Sequence, residues 1–416
     1  MAIPTPSAAS AARRPTPEPL PAPVRRVYAV QLISAVTDGA VLATVVLYFS
    51  TRVGLPAASI GLVLALAAGC ALVTAPFLGA VADRAGRRRA AVAHSLLIGA
   101  ALTVYLVADD LWTYAVGAVV FVVAQAGAGA VRHALVASYV GPERRVRARA
   151  HMHSLLNAGL GAGTVVGAVV LAVDSRSAFL SVYACGAVVA LVCAALLHGL
   201  PRAADGRPAP RTGGGRFRAG TGALRDRRLV TVTAATALLQ LYMPVLSLIL
   251  PVWVSTRTEA PMWVCAVALG LNTVVVLVLQ TPWAARVRTD RGAARSAVVA
   301  GAALLLACGL FGAAPLGGPF GAAAVVLVGI VLLTLGEVAA GPSAWHLALR
   351  RAPADLQTQY QAVFGMAGAL ARILGSALVL PLVLSQGTPG WWVLGAVTAA
   401  AAGVLALLAR RGGRTG

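Results

Sequence analysis

Four ionisable side chains stand inside stretches of sequence that are otherwise apolar: Asp38, Arg132, Glu337 and Arg372. A charge in such a setting is costly, and it persists where it faces a partner or a water-filled cavity. Desolvation drives a carboxylate toward its protonated form, and a neighbouring Arg draws it back. A change in the balance of these influences would let Asp38 or Glu337 take up a proton and later release it, with Arg132 as the group that tunes it. Bond-making chemistry is not indicated, because no Ser/His/Asp cluster, nucleotide-binding loop or carboxylate pair stands out. His151 and His153 form an HMH stretch, but residues two apart on a helix point to different sides, so the pair reads as polar groups at a membrane interface. Cys70, Cys185, Cys193, Cys265 and Cys308 are odd in number and lack metal-ligand spacing, which argues against disulfide or redox roles. Neither a metal nor an organic cofactor is expected.

The elements that must position these groups are set by composition. Of the 416 residues, 59% are hydrophobic and 11% charged, and the mean hydropathy is +0.83. Such a chain is solvated mostly by lipid. Apolar runs long enough to cross a bilayer recur at roughly 27–49, 57–80, 90–108, 111–136, 150–173 and 178–199. Six more follow at 229–254, 262–284, 295–314, 320–346, 359–384 and 390–409. No ten-residue alternating pattern is present, and backbone polar groups in lipid must be satisfied within the segment, so the spans are expected to be helices. Residues 1–26, rich in Pro, Ala and Arg, read as a disordered tail. Residues 200–228 read as a linker between an amino-terminal six-helix bundle (27–199) and a carboxy-terminal one (229–409), with a short tail at 410–416.

Charge sets the expected orientation. All 34 basic residues are Arg. With the amino terminus inside, 29 of them fall on cytoplasmic segments, and only Arg52, Arg176 and Arg257 fall on the other side. Both termini are therefore expected to be cytoplasmic, in an inner membrane. The net charge of +21 is accounted for by a basic face on an anionic leaflet and does not call for nucleic acid. The seven Trp lie near span ends and read as an interfacial belt.

Between spans two and three stands the charged island GAVADRAGRRRA (79–90). A merely orienting loop would explain its Arg residues but not Asp83 or the placed glycines. Glycine lets a chain turn sharply at a helix end. An Asp there can dock on a helix N-terminus or an Arg and hold one helix arrangement against another. Gly79, Asp83, Arg84, Gly86, Arg87 and Arg88 together resemble the signature loop of the major facilitator superfamily. An eroded second copy, Asp290-Arg291-Gly292 with Arg286 at its first Gly position, lies where an internal repeat would put it. Gly127-x-Gly129 followed by Arg132 resembles the family's span-four Arg region. Many relatives carry an Asp just before the next loop, where this chain has Ser138; Glu143 is a possible substitute.

Two further stretches resemble the bacterial multidrug-exporter branch. Gly159, Gly163 and Gly167 keep part of a Gly-rich antiporter motif on span five, although small residues four apart also serve simple helix packing. Thr334 to Tyr360 matches the span ten to eleven region at Gly336-Glu337, Pro342, Ala352-Pro353 and Tyr360. The resemblance implies an all-α major facilitator fold working by alternating access, with spans one, four, seven and ten around a central cavity. Asp38, Arg132 and Glu337 would face one another there with Gln240 and Tyr242, and Arg372 would neutralise Glu337. Gln31, Gln125, Asn157, Asn272 and Gln280 would line the path or bridge helices. The expected activity is proton-coupled export of a hydrophobic or amphipathic small molecule. A substrate-specific importer or uniporter, and a transport-inactive sensor or scaffold, are the alternatives. Expected partners are the substrate, protons and membrane lipids, with the chain acting as a monomer.

Overall fold

The structure is a computed structural model, and it describes residues 21–141, 144–201, 222–350, 352–353 and 355–412. Most of the expected amino-terminal tail and linker, and Glu143, lie outside the described residues. Twelve helices among the described residues are long and apolar enough to cross a membrane. The first six are α1 (Ala22–Thr51), α2 (Ala57–Ala85), α3 (Arg87–Val107), α4 (Leu111–Tyr139), α5 (Arg145–Val173) and α6 (Arg176–His198). The second six are α7 (Arg227–Arg257), α8 (Trp263–Arg286), α9 (Asp290–Ala313), α10 (Pro319–Leu349), α11 (Gln357–Gln386) and α12 (Thr388–Gly412).

Each helix covers its apolar run, and several extend beyond it at the end that carries the Arg-rich loops, called here the basic end. α1 begins at Ala22, inside the stretch expected to be tail, because Pro23 is tolerated in a first helical turn. α5 begins at Arg145, since a long Arg side chain can reach water while its backbone stays hydrogen-bonded in the helix.

The two bundles repeat one packing plan. α1 packs on α5, α3 on α4 and α6, and α2 on α4; six helices later, α7 packs on α11, α9 on α10 and α12, and α8 on α10. Between the bundles α2 meets α11 and α5 meets α8. The α1–α5 seam is close because glycines line it: a Cβ at Gly163 would lie 2.0 Å from Val36 O, and one at Gly39 would lie 2.3 Å from Leu160 O. The glycines of span five therefore serve packing against α1. Gly163→Ala is expected to force these backbones apart and destabilise the bundle by about 1–3 kcal/mol, read as a lowered thermal unfolding midpoint.

α7 and α11 are each interrupted by a π-helical turn, at Val245–Ile249 and Gly375–Val379. Pro251 and Pro381 follow immediately, and a proline cannot donate to the carbonyl four residues back, so the wider turn absorbs the missing bond. The two turns are neighbours: a Cβ at Gly375 would lie 2.3 Å from Pro244 Cγ.

Aromatic side chains fill the end opposite the basic one. Tyr48, Phe49, Tyr105, Tyr114 and Tyr183 pack ring against ring in the first bundle, and Trp253, Phe311 and Trp391 cluster in the second. This corrects the belt reading for three of the seven Trp: Trp253 and Trp391 are buried in these clusters, with Trp253 Nε1 donating to Phe311 O at 2.9 Å, and Trp345 is the third. Trp345 is buried as well, whereas Trp112, Trp263 and Trp392 are exposed as interfacial residues would be.

Candidate functional site

The charged island folds as the turn between α2 and α3. Gly86 provides it with φ of 102°, a conformation that costs glycine little. Asp83, on the last turn of α2, is buried and reaches the other bundle. Its Oδ2 accepts from the backbone N–H groups of Thr358 (2.9 Å) and Gln359 (3.0 Å), in the first turn of α11. Arg87 Nε donates to Asp83 Oδ1 at 3.1 Å and lies 3.3 Å from Thr358 Oγ1. The carboxylate thus satisfies two orphan donors at the positive end of a helix dipole and an Arg at once. Gly79 is what allows the approach, since a Cβ there would lie 2.7 Å from Gln359 Cα. Arg88 ties the island to α6 through His198 O at 2.7 Å, and Arg84 is exposed. The start of α7 joins the same corner: Asp226 caps it and accepts from Tyr360 Oη at 2.8 Å.

The second copy of the island does not mirror this contact. Asp290 pairs with His346 of α10 (2.8 Å) and with Arg350 just after it (2.6 Å), within its own bundle. Ser138 donates to Leu135 O, back into its own helix.

The intramembrane charges separate into two groups, which corrects the expectation that Asp38, Arg132 and Glu337 face one another. Asp38, Gln125 and Arg132 line a pocket of about 370 Å³ together with Ser34, Ser95 and Cys193, inside the first bundle between α1, α3, α4 and α6. Arg132 is buried, and its Nε has no hydrogen-bond partner among the described residues. Asp38 faces Gln125 and Arg132 of α4 across this pocket, an orientation that depth along the helix could not specify. Next to this pocket His94 fills the space left by Gly127, where a Cβ would lie 2.0 Å from its Nε2.

Glu337 lies elsewhere, at the seam of the two bundles. It is 5% exposed. Its Oε2 accepts from Asn272 Nδ2 of α8 at 2.8 Å, and Asn272 also donates to Thr334 Oγ1 at 3.1 Å. Its Oε1 is 3.5 Å from His153 Nε2 of α5, across the seam, and Asn157 Nδ2 is 3.4 Å from the same imidazole. Trp345 packs edge-on against His153, ring centroids 5.9 Å apart. Arg149 stands over Trp345 and Phe364, at 5.7 and 5.1 Å from the ring centroids, and donates to Gln361. Arg372 does not neutralise Glu337: it is exposed, and no ion pair joins them among the described residues. A shared depth on neighbouring helices does not give a shared face. Tyr242 and Gln31 are buried, and among the described residues the side-chain oxygens of Gln31 and Gln240 have no hydrogen-bond partner; neither do the amide atoms of Gln280.

Of this seam, sequence alone does not single out Arg149, and it reads His153 only as half of an interfacial pair. A signal was present: Arg145, Arg149, His153 and Asn157 fall every four residues and form a polar stripe down one face of α5. His151 points the other way, its ring 4.8 Å from that of Tyr28, so the two histidines do diverge.

The cross-bundle hydrogen bonds described above all lie toward the basic end, where a loop signature, an internal repeat and twelve spans converge. The Major Facilitator Superfamily profile matches residues 27–376. The chain belongs to the major facilitator superfamily. No curated protein gives a significant sequence match. Among solved major facilitator structures, it is similar to the E. coli fucose:proton symporter, at 13% identity over 93% of this chain and 98% of that one, with a TM-score of 0.73. The human organic anion transporter is similar at 15% identity over 92% and 98%, TM-score 0.70. A bacterial homologue of the iron transporter ferroportin, in an outward-facing state, is similar at 16% over 93% and 98%, TM-score 0.69. At these identities the likeness is one of fold, and within the superfamily it favours no branch.

Proposed function

We propose that this protein is an alternating-access transporter of a bacterial inner membrane, exporting a hydrophobic or amphipathic small molecule against proton entry. Both termini are then cytoplasmic, and the basic end, where the cross-bundle bonds lie, is the closed cytoplasmic gate of an outward-facing state. The observation that carries the reading is the Glu337–His153 contact across the seam. A carboxylate whose partners belong to both bundles changes its surroundings whenever the bundles move apart, and a change of surroundings is what drives proton uptake or release. Glu337 is the proton carrier in this reading. Asp38 and Arg132, held within one bundle, set the field around it.

Purified protein in liposomes with an internal pH dye tests this. Lipophilic cations and amphipathic natural products are expected to trigger proton movement, and its sign relative to substrate movement gives the direction of transport. Asp38→Asn is expected to slow the flux severalfold while leaving it substrate-dependent. Flux lost in Asp38→Asn but intact in Glu337→Gln would reverse the assignment of the two carboxylates. A folded protein that moves neither protons nor any member of the panel would sink the exporter reading.

A further inference from the structure

A second, small pocket lies between the bundles at the basic end, lined by His133 of α4, Arg145 and Arg149 of α5, Leu349 of α10 and Gln357 and Gln361 of α11. Its polar lining is cationic or neutral, and no carboxylate lines it among the described residues. Asp83, which also meets the start of α11, is committed to the Thr358 and Gln359 amides and to Arg87. Arg145 and Arg149 stand four residues apart on one helix face, so both address the pocket. Arg149 has an amide and two aromatic rings for partners but no anion. Arg145 Nε is buried without a hydrogen-bond partner among the described residues.

Two guanidinium groups half-buried in a seam, with no carboxylate beside them among the described residues of the pocket, are destabilising unless an anion joins them. Their forked donors match the oxygens of a phosphate group. We propose that this pocket binds a phosphate oxyanion, from free inorganic phosphate or from the headgroup of an anionic phospholipid. Because its walls come from both bundles, the pocket is whole only while the basic end is closed. Phosphate binding therefore favours that state by linkage. This second step rests on the alternating-access reading above; the binding itself does not.

The test uses the full chain in detergent, with inorganic phosphate titrated against chloride at constant ionic strength. One readout is the thermal unfolding midpoint. The other is the distance between spin labels at Arg89→Cys and Arg288→Cys, exposed positions at the basic end of either bundle, with Cys70, Cys185 and Cys265 replaced by Ser. Phosphate, and not chloride, is expected to raise the midpoint saturably and to narrow the distance distribution toward the closed spacing. Arg145→Gln and, independently, His133→Gln are expected to raise the half-saturating phosphate concentration, by roughly tenfold or more for the Arg, while Arg145→Lys stays closer to the parent. In nanodiscs of phosphatidylcholine the phosphate response should persist. Its disappearance when phosphatidic acid is included would identify the lipid headgroup as the occupant. An equal midpoint response in the parent and in both variants, or none in any of them, overturns the site. A response lost in Arg145→Gln with unchanged distances in the parent keeps the site and overturns its link to the closed state.

Discussion

Glu337→Gln is expected to reduce substrate-triggered proton movement to the level of protein-free liposomes. The substitution keeps the shape of the side chain and an oxygen that can accept from Asn272, which now stands at 2.8 Å, so the local packing survives. What disappears is the group that can gain or lose a proton between the bundles. Loss of coupling is separated from loss of folding by a second measurement on the same liposomes: counterflow of labelled substrate without a proton gradient should persist. Retained flux in Glu337→Gln would show that the proton travels by another group. His153→Gln is the informative companion, because it removes the partner across the seam and leaves the carboxylate; reduced but substrate-dependent flux is expected.

The second large effect is expected at Asp83. In Asp83→Asn the carboxylate that accepts from Thr358 and Gln359 amides and from Arg87 loses its charge, and one of its two acceptors becomes a donor. Hydrogen bonds to a charged group are worth about 1.5–3 kcal/mol, so the balance between closed and open basic ends should move toward open by roughly tenfold to a hundredfold. Spin-label distances between Arg89→Cys and Arg288→Cys should lengthen accordingly, and net export should fall. Parent-like distances together with parent-like transport would falsify the latch.

Much of this architecture is legible without coordinates. The apolar runs mark twelve helices because lipid tolerates no other way of satisfying the backbone, and the island's spacing announces a carboxylate that docks on a helix end, as Asp83 does. What sequence could not supply was facing. α1 is apolar nearly all round, so nothing in its pattern says that Asp38 turns to Gln125 and Arg132 of α4 and away from Glu337. The partner of Glu337 across the seam lies 184 residues away, and no local pattern records a contact at that separation. His153 was read with its neighbour as an interfacial pair, whereas its true relations are with Arg149 and Asn157, four residues to either side. The Trp residues misled for a related reason: nearness to a span end does not distinguish a ring in the headgroup layer from one buried under its neighbours, as Trp253 and Trp391 are.

The π turns of α7 and α11 have a mechanical consequence. A π turn interrupts the regular ladder of a helix and is a natural place for it to bend. Set side by side at Pro244 and Gly375, the two soft points form a single crease across the second bundle. Below the crease, Asp83, Asp226 and Tyr360 pin the inner segments of both helices. Above it, Arg257 of α7 donates to Leu384 O of α11 at 2.5 Å and ties the outer segments into a pair, which Trp253 anchors to α9. In the exporter proposed above, bending at the crease would lower a lid over the cargo before the opposite door is unbolted, like an airlock.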